Sequence, residues 1–491
     1  MARVLPIPAA VASLAPRTLE DARRLVSLVP ARASAIECRL DLADAPIPPR
    51  VLLDLDSRPL IVTYRSLEEG GRFDGSAEEY RRLAAEAYEA GATVDLEHAR
   101  GLLSDRSLFP DRERVVVSLH SPFALPGDFE ARVSAMLATG SRAVKLVAGA
   151  GDLPASFRIA SLQKGQPAAV SIFPMGPASP PGRVLSALFG ASLVYGPVER
   201  ETAGGQVPIA DLLDVYEVDR PRAIDALFGI VGGSPKGSLS PLLYNALFRA
   251  RGLSHLYVPL PVSDFDRESP HTIAFSPPLR GLAVTQPWKH AAARAGRPSE
   301  DVALTGAANT LVSGRRGWRA ENTDVDGVFD PLADHDTGEG RNAVVLGAGG
   351  AARAAVVAAR RLGYEVAVAA RRDAEADRVA AALGVYSMAW EDVESSEADL
   401  YVNATPVGWR DEDPSAIPPC LFEARPLVFD CVYRRDGRET ATIRRARAAG
   451  CPTVDGLRML AAQAVRQASL FGLQGVSFEE VSGILRAGAV S

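Results

Sequence analysis

The chain has 491 residues, a net charge of −6, and 47% hydrophobic against 23% charged residues. That length predicts about three domains, and the composition is that of a globular protein. The mildly acidic balance, with no basic block and only 6% aromatic residues, argues against a nucleic-acid or anionic-membrane surface. The four cysteines, Cys38, Cys420, Cys431 and Cys451, form no CxxC pair, so neither a metal site nor a disulfide framework is expected. The opening MARVLPIPAAVASLAPR lacks a signal-like apolar core, and no uncharged apolar run reaches about 18 residues. The expectation is a cytoplasmic protein with no membrane partner.

In chain order, eight β-like runs come first: Val4–Ile7, Ala35–Leu40, Leu60–Tyr64, Thr93–Leu96, Val115–Leu119, Ala143–Val147, Ala168–Phe173 and Ser192–Tyr195. Helix-forming stretches such as SAEEYRRLAAEAYEAG separate them. Eight βα units in this length fit a closed (β/α)8 barrel, with an open doubly wound sheet as the alternative. The pattern restarts around Val218–Ala226, and short strands alternate with helices to about Val328. After the Gly/Asp-rich His335–Arg341, the strand Asn342–Leu346 runs into GAGGAARA. Further strands are predicted at Glu365–Val368, Leu400–Val402 and Leu427–Phe429, and helices from Asp455 onward. The expected division is 1–217 for the barrel, 226–330 completed by 453–491 for a substrate-binding α/β domain, and 331–452 for a Rossmann-like cofactor domain.

In such a barrel the reacting groups sit at the C-terminal ends of the strands. Those ends carry Glu37, Arg39 and Asp41, Arg65 with Glu69 following, Asp95 and Glu97, His120, Lys145, Arg183, and then Thr202 and Gln206. Lys145 interrupts an apolar strand. Pointing inward, with desolvation and nearby cations lowering its pKa, a neutral amine there can attack a ketone to form an imine. His120 can take the proton that the imine acidifies and return it to a leaving hydroxyl. Glu69 can orient the imidazole, and Arg39, Arg65 and Arg183 can hold a carboxylate and hydroxyls. A single strand-end lysine or histidine is more often surface or structural, and a class I aldolase would use the same lysine logic.

The segments IECRLDLAD, VTYRSLEEGG, VDLEHA, VVVSLHSP, AVKLV, GRVLSALFG and ETAGGQVPIADL resemble, in order, the motifs of type I 3-dehydroquinate dehydratase. The resemblance implies Lys145 as the Schiff-base lysine, His120 as the proton shuttle and Glu69 as its carboxylate partner. It implies Glu37, Arg39 and Arg65 as hydroxyl-binding residues, and Arg183 and Gln206 as a carboxylate clamp. Thr202 stands where many members have Ser, and Ser-Pro follows His120 where many have Asp-Phe. The implied reaction is syn elimination of water from 3-dehydroquinate.

Downstream, Gly347, Ala348, Gly349, Gly350 and Ala351 lie between a strand and a helix, the context dinucleotide binding requires. The next strand ends in Arg371 and Arg372 rather than an acid, which favours a 2′-phosphate and hence NADP(H). Upstream, Lys289 and Asp324 can bind a substrate hydroxyl and assist its proton transfer during hydride transfer. Ser238 and Ser240 suit a carboxylate, and Thr285 and Asn309 suit ring hydroxyls, although each alone reads as a cap or turn residue.

The motifs SLSPLLYN, VTQPWK, GAANTL, ENTDVDG, VNATPVGW, DCVY and DGLRMLAAQA resemble shikimate dehydrogenase. By that resemblance Lys289 and Asp324 are the catalytic pair, and Ser238, Ser240, Thr285, Asn309, Tyr433 and Gln463 meet the substrate. The glycine turn, Arg371, Arg372 and Thr405 form the cofactor site. Gly237 stands where many relatives have His, and Ala370-Arg371-Arg372 where Asn-Arg-Thr is usual. Together the two resemblances imply successive dehydration of 3-dehydroquinate and NADPH-dependent reduction of 3-dehydroshikimate to shikimate. A quinate- and NAD-using second module, and a ligand-sensing repressor built from decayed copies, are the rivals.

Overall fold

The computed structural model describes residues 4–220, 222–232, 238–270, 277–335, 340–434 and 436–490. They form two compact units, Met1–Leu227 with Ser254–Pro278, and Phe228–Leu253 with Leu279–Ser491.

The first unit contains a parallel sheet of eight strands among the described residues: β1 (Ala9–Leu14), β2 (Ala35–Arg39), β3 (Leu60–Thr63), β4 (Thr93–Glu97), β5 (Val115–Ser121), β6 (Ala143–Gly149), β7 (Val170–Met175) and β8 (Leu193–Pro197). Their order is 7-6-5-4-3-2-1-8, and β1 pairs in parallel with both β2 and β8. The seam between β7 and β8 has no ladder. The Leu193 N–H donates to Ser171 Oγ there (2.9 Å) and the Ser192 N–H to the Val170 carbonyl (3.2 Å), so the barrel is nearly closed.

The first strand is not Val4–Ile7 but Ala9–Leu14. Pro6 and Pro8 offer no N–H to a ladder, whereas AAVASL is buried at every position between its two neighbours. Helix Ala77–Ala90 follows its sequence cues. The Ser76 side chain accepts the Glu79 N–H, Gly91 ends the helix at φ +108°, and Tyr80, Ala84, Ala87 and Tyr88 form the buried stripe. Barrel interiors are usually filled by branched apolar side chains. Here Ser13, Glu37, Thr63, Asp95, Ser118, Lys145 and Ser171 are all buried strand residues. Burial of so much polarity requires each group to find a partner.

In the second unit one sheet runs β9-β11-β13-β14-β12, with β9 at Ala226–Gly232, β11 at Leu279–Val284, β12 at Arg297–Pro298, β13 at Thr310–Gly314 and β14 at Gly317–Glu321. β10 (His255–Pro261) falls in the first unit. The other sheet is parallel throughout: β15 (Asn342–Leu346), β16 (Glu365–Ala369), β17 (Tyr386–Met388), β18 (Leu400–Asn403), β19 (Leu427–Asp430) and β20 (Thr453–Val454). Its order, 17-16-15-18-19-20, reverses direction between β15 and β18, where a doubly wound sheet opens its ligand crevice. Helix Gly350–Arg361 lies against this sheet through Ala352, Ala354, Ala355, Ala358 and Ala359, none with exposed surface. Helix Gly456–Leu470 returns to the first sheet. Gln467 donates to Thr310 Oγ1 (2.6 Å) and accepts from the Tyr244 hydroxyl (2.8 Å). Among the described residues no helix is long and apolar enough to cross a membrane.

Candidate active sites

Parallel pairing of the first unit's strands brings its candidate residues to one end of the barrel. Lys145, on β6, is 4% exposed, and its Nζ lies 2.5 Å from Asp95 Oδ2 and 3.7 Å from Glu37 Oε1. Asp95 Oδ1 accepts from Ser118 Oγ (2.5 Å) and Arg65 Nη2 (2.9 Å). Burial alone would push the Asp95 carboxyl up, but Arg65 and Lys145 outweigh it and hold it well below the usual carboxylate range. Glu37 accepts from Ser13 Oγ (2.5 Å) and Thr63 Oγ1 (2.9 Å).

Arg65 is the hub of this network. Its Nη1 donates to Glu69 (2.8 Å), Ser118 (2.9 Å) and Glu97 (3.4 Å). Arg39 forks onto Asp41 through Nε and Nη2, both at 2.8 Å, and donates from Nη1 to the Thr202 carbonyl (2.9 Å). Gln206 Oε1 accepts the Thr202 N–H (2.8 Å) and the Ala203 N–H (3.1 Å), which fixes the loop after β8.

Glu69 Oε2 accepts the His120 N–H and lies 3.0 Å from its Nδ1. Burial pushes Glu69 up to about 7, with Glu97 and Asp95 adding to it against the pull of Arg65. Burial, then the charges of Arg65, Lys145, Arg39 and Arg183, hold His120 well below its ordinary value. Both shifts favour a neutral imidazole, with Nδ1 on Glu69 and Nε2 left to work on a ligand. Arg183, carried by helix Pro180–Leu188, is 6% exposed. Its Nε has no hydrogen-bond partner among the described residues, and burial pulls the guanidinium down to about 10. A buried cation with a free N–H, and only the charge of Glu201 acting on it, is a place for an anion.

In the second unit a cavity of about 330 Å³ is lined by Ser238, Ser240, Thr285, Lys289, Asn309, Asp324, Tyr433 and Gln463. Every substrate or catalytic residue expected of this half is therefore in one cleft. Gly237 lies outside the described residues. Lys289 Nζ is 2.5 Å from Asp324 Oδ2, and Asn309 Nδ2 donates to Asp324 Oδ1 (2.8 Å). Asn309 is itself fixed by the Thr323 N–H (2.8 Å), and Thr323 Oγ1 donates to Gln463 (2.9 Å). The pair is thus held by neutral amides and hydroxyls.

Next to this cleft, a cavity of about 820 Å³ is lined by Gly347, Ala348, Gly349, Arg371, Arg372 and Thr405. Gly350 lines a third cavity with Lys289 and Arg353, and Ala351 faces the substrate cleft. Gly347 has φ +121°, and a Cβ there would meet the Ala404 carbonyl at 2.8 Å, so the turn at the sheet's reversal demands glycine. The 12-residue helix that follows directs its first N–H groups at the crevice. β16 is followed by Ala370, Arg371 and Arg372, both arginines exposed, with Arg372 paired to Glu375 (2.6 Å). A pyrophosphate-sized cradle beside two cations, with no acid ending that strand, fits NADP(H).

Sequence reasoning gave Asp95 no role, although it was visible as a strand-end acid. Its significance comes from the pairing of β4, β5 and β6, which no local pattern states. Trp409, which lines the cofactor cavity and packs edge-on to Tyr433 (6.2 Å), was likewise passed over inside VNATPVGW. Among the described residues no group of His, Cys, Asp or Glu is placed to hold a metal ion.

Known proteins resemble both halves of the chain. Residues 10–222 match the family model "Type I 3-dehydroquinase", and residues 230–311 the model "Shikimate dehydrogenase substrate binding domain". The chain is 28% identical to the bifunctional 3-dehydroquinate dehydratase/shikimate dehydrogenase, chloroplastic, of Arabidopsis thaliana, over 84% of this chain and 73% of that protein. It is 38% identical to the shikimate dehydrogenase (NADP(+)) of Anaeromyxobacter sp. (strain K), over 50% of this chain and 88% of that one. A solved structure of dehydroquinate dehydratase and shikimate dehydrogenase from S. pombe aligns over 98% of both chains, at 21% identity and a TM-score of 0.44. The chain belongs to the shikimate dehydrogenase family through its C-terminal half, and its N-terminal half matches the type I 3-dehydroquinase model.

Proposed function

We propose that the residues brought together in the two units divide the labour of a bifunctional shikimate-pathway enzyme as follows. The chain dehydrates 3-dehydroquinate and reduces the resulting 3-dehydroshikimate to shikimate with NADPH. In the barrel, Lys145 Nζ attacks the ketone carbon. Attack needs the unprotonated amine, and Asp95, at 2.5 Å, holds Nζ in position for it. A C–N bond forms, the carbonyl oxygen leaves as water, and the iminium acidifies the neighbouring carbon. His120 Nε2 takes that proton, and the electron pair moves in to form the enamine. The β-hydroxyl then departs with the proton His120 returns to it, so one imidazole working on one face gives a syn elimination. Hydrolysis of the imine frees Lys145. Arg183, with Gln206 and Thr202, receives the substrate carboxylate, while Glu37, Arg39 and Arg65 face its hydroxyls.

In the cleft, NADPH held by the Gly347–Ala351 turn, Arg371, Arg372 and Thr405 supplies the hydride. Lys289 donates the proton to the ketone oxygen as it becomes a hydroxyl, and Asp324 holds Lys289 in place. Ser238 and Ser240 bind the carboxylate, while Thr285, Asn309, Tyr433 and Gln463 bind the ring hydroxyls. The dehydratase occupies 1–217, the substrate lobe 226–330 with 453–491, and the cofactor lobe 331–452. The cysteines are unpaired, which suits work in the cytoplasm.

The observation that carries the reading is Lys145 itself, a buried amine sharing the barrel mouth with a neutral imidazole and the buried guanidinium of Arg183. Purified chain given 3-dehydroquinate and NADPH should consume the reduced cofactor and yield shikimate. Accumulation of 3-dehydroshikimate without oxidation of NADPH would overturn the second half. Oxidation of NADH that yields quinate instead would replace it with the rival substrate.

A further inference from the structure

Tyr195, on β8, has no place in the roles assigned so far. It is 7% exposed, and its hydroxyl has no hydrogen-bond partner among the described residues. It pairs with Val11 on β1, two residues before Ser13, whose hydroxyl reaches Glu37. Alternation along β1 puts Val11 and Ser13 on the same, inward face, so Tyr195 lies one step deeper in the barrel than the Ser13–Glu37 pair. Its ring faces the reacting nitrogen, with Lys145 Nζ 4.5 Å from the ring centroid.

Two consequences follow from these positions. A ketone carbon that bonds to Nζ comes within about 6 Å of the ring centroid, since a C–N bond adds about 1.5 Å. The bound ring acid therefore lies beside the phenol ring. The second consequence concerns the hydroxyl. Burial first, then Glu37 and Asp95, hold its proton on far above the ordinary tyrosine value, so it acts as a donor. A buried donor without an acceptor is destabilising, and such a group gains most when an acceptor arrives.

We propose that Tyr195 is a further substrate-contact residue of the dehydration, its ring lying beneath the imine nitrogen and its hydroxyl donating to an oxygen of the bound ring acid. This rests on Lys145 being the imine-forming residue. The hydroxyl takes no part in the bonds made and broken, so a contact from it contributes to binding rather than to the chemical step.

The test is Tyr195→Phe in the full chain, a substitution that keeps the ring and the packing. The expected result is a KM for 3-dehydroquinate raised about tenfold, with kcat within about twofold of wild type. Its KM for 3-dehydroshikimate in the reduction should not move, and its thermal midpoint should hold or rise, because an unsatisfied hydroxyl is gone. A KM for 3-dehydroquinate unchanged within about twofold would overturn the proposal, whatever the midpoint does, because a purely structural tyrosine predicts that outcome. Failure of the imine reading is separable. It would show as no borohydride-trapped adduct in the wild-type chain, whereas failure of the tyrosine proposal leaves that adduct intact.

Discussion

Each unit turns on a lysine bonded to an aspartate at 2.5 Å, but the two pairs live in different surroundings. The Lys145 and Asp95 side chains are 6% and 0% exposed, and ionisable groups surround them: Arg65, Glu37, Glu97, Glu69 and His120. Lys289 and Asp324 are 16% and 11% exposed, and their neighbours are the amide of Asn309 and, through it, Thr323 and Gln463. A lysine that must become a nucleophile needs bases and an acid at hand, with water excluded. A lysine that only hands over a proton needs orientation and an open route to the cofactor. The same two side chains thus serve covalent chemistry in one place and proton donation in the other, according to what is packed around them.

The largest expected effect separates the two pairs. Lys145→Ala lowers dehydration by about 10⁴-fold or more while reduction continues, because a nucleophile has no substitute. Lys289→Ala lowers reduction by about 10²- to 10⁴-fold and leaves dehydration unchanged. Steady-state assays of both steps on each variant check this, and parallel loss of both activities in either one would break the comparison.

Stability gives the next difference. Asp95→Asn removes one partner of a fully buried network and costs about 3–5 kcal/mol, whereas Asp324→Asn in the more open pair costs about 1 kcal/mol. Because Asp95 is held below the usual carboxylate range, its share of stability is present above about pH 4 and is lost as the pH falls below that. Denaturant unfolding against pH should therefore show a shallower acid decline for Asp95→Asn than for wild type. Equal slopes would place the network's strength elsewhere.

At the cofactor, Arg371→Ala raises the KM for NADPH about tenfold and leaves that for NADH unchanged, since only the former carries a 2′-phosphate. The smallest effect is in the pH profile. Glu69, pushed up to about 7, gives up its proton there, so dehydratase kcat/KM rises with pH through about 7. Glu69→Gln, which cannot titrate, moves that limb to lower pH, by about twofold in relative rate at pH 7.

Much of this was legible in the residues because it is local. The glycine turn, the arginines ending β16 and the Ser76-to-Gly91 helix all announce themselves by spacing, and the cleft residues read from motifs line one cavity. What was not legible is set by pairing across the sheet. The importance of Asp95 depends on β4 lying next to β5 and β5 next to β6. Tyr195 reads as an ordinary apolar strand residue until β8 closes against β1 and turns its ring toward Lys145. The first strand was misplaced for a different reason. Val4–Ile7 looks more β-like than AAVASL by side chain alone, but prolines silence its backbone.

The central claim is that a buried lysine amine bonds covalently to a cyclic ketoacid. Borohydride added to the full chain during turnover of 3-dehydroquinate, followed by peptide mass mapping, tests it directly. The account predicts a reduced adduct on the peptide carrying Lys145 and none on that carrying Lys289. An unmodified Lys145 peptide under conditions where dehydration proceeds would contradict it.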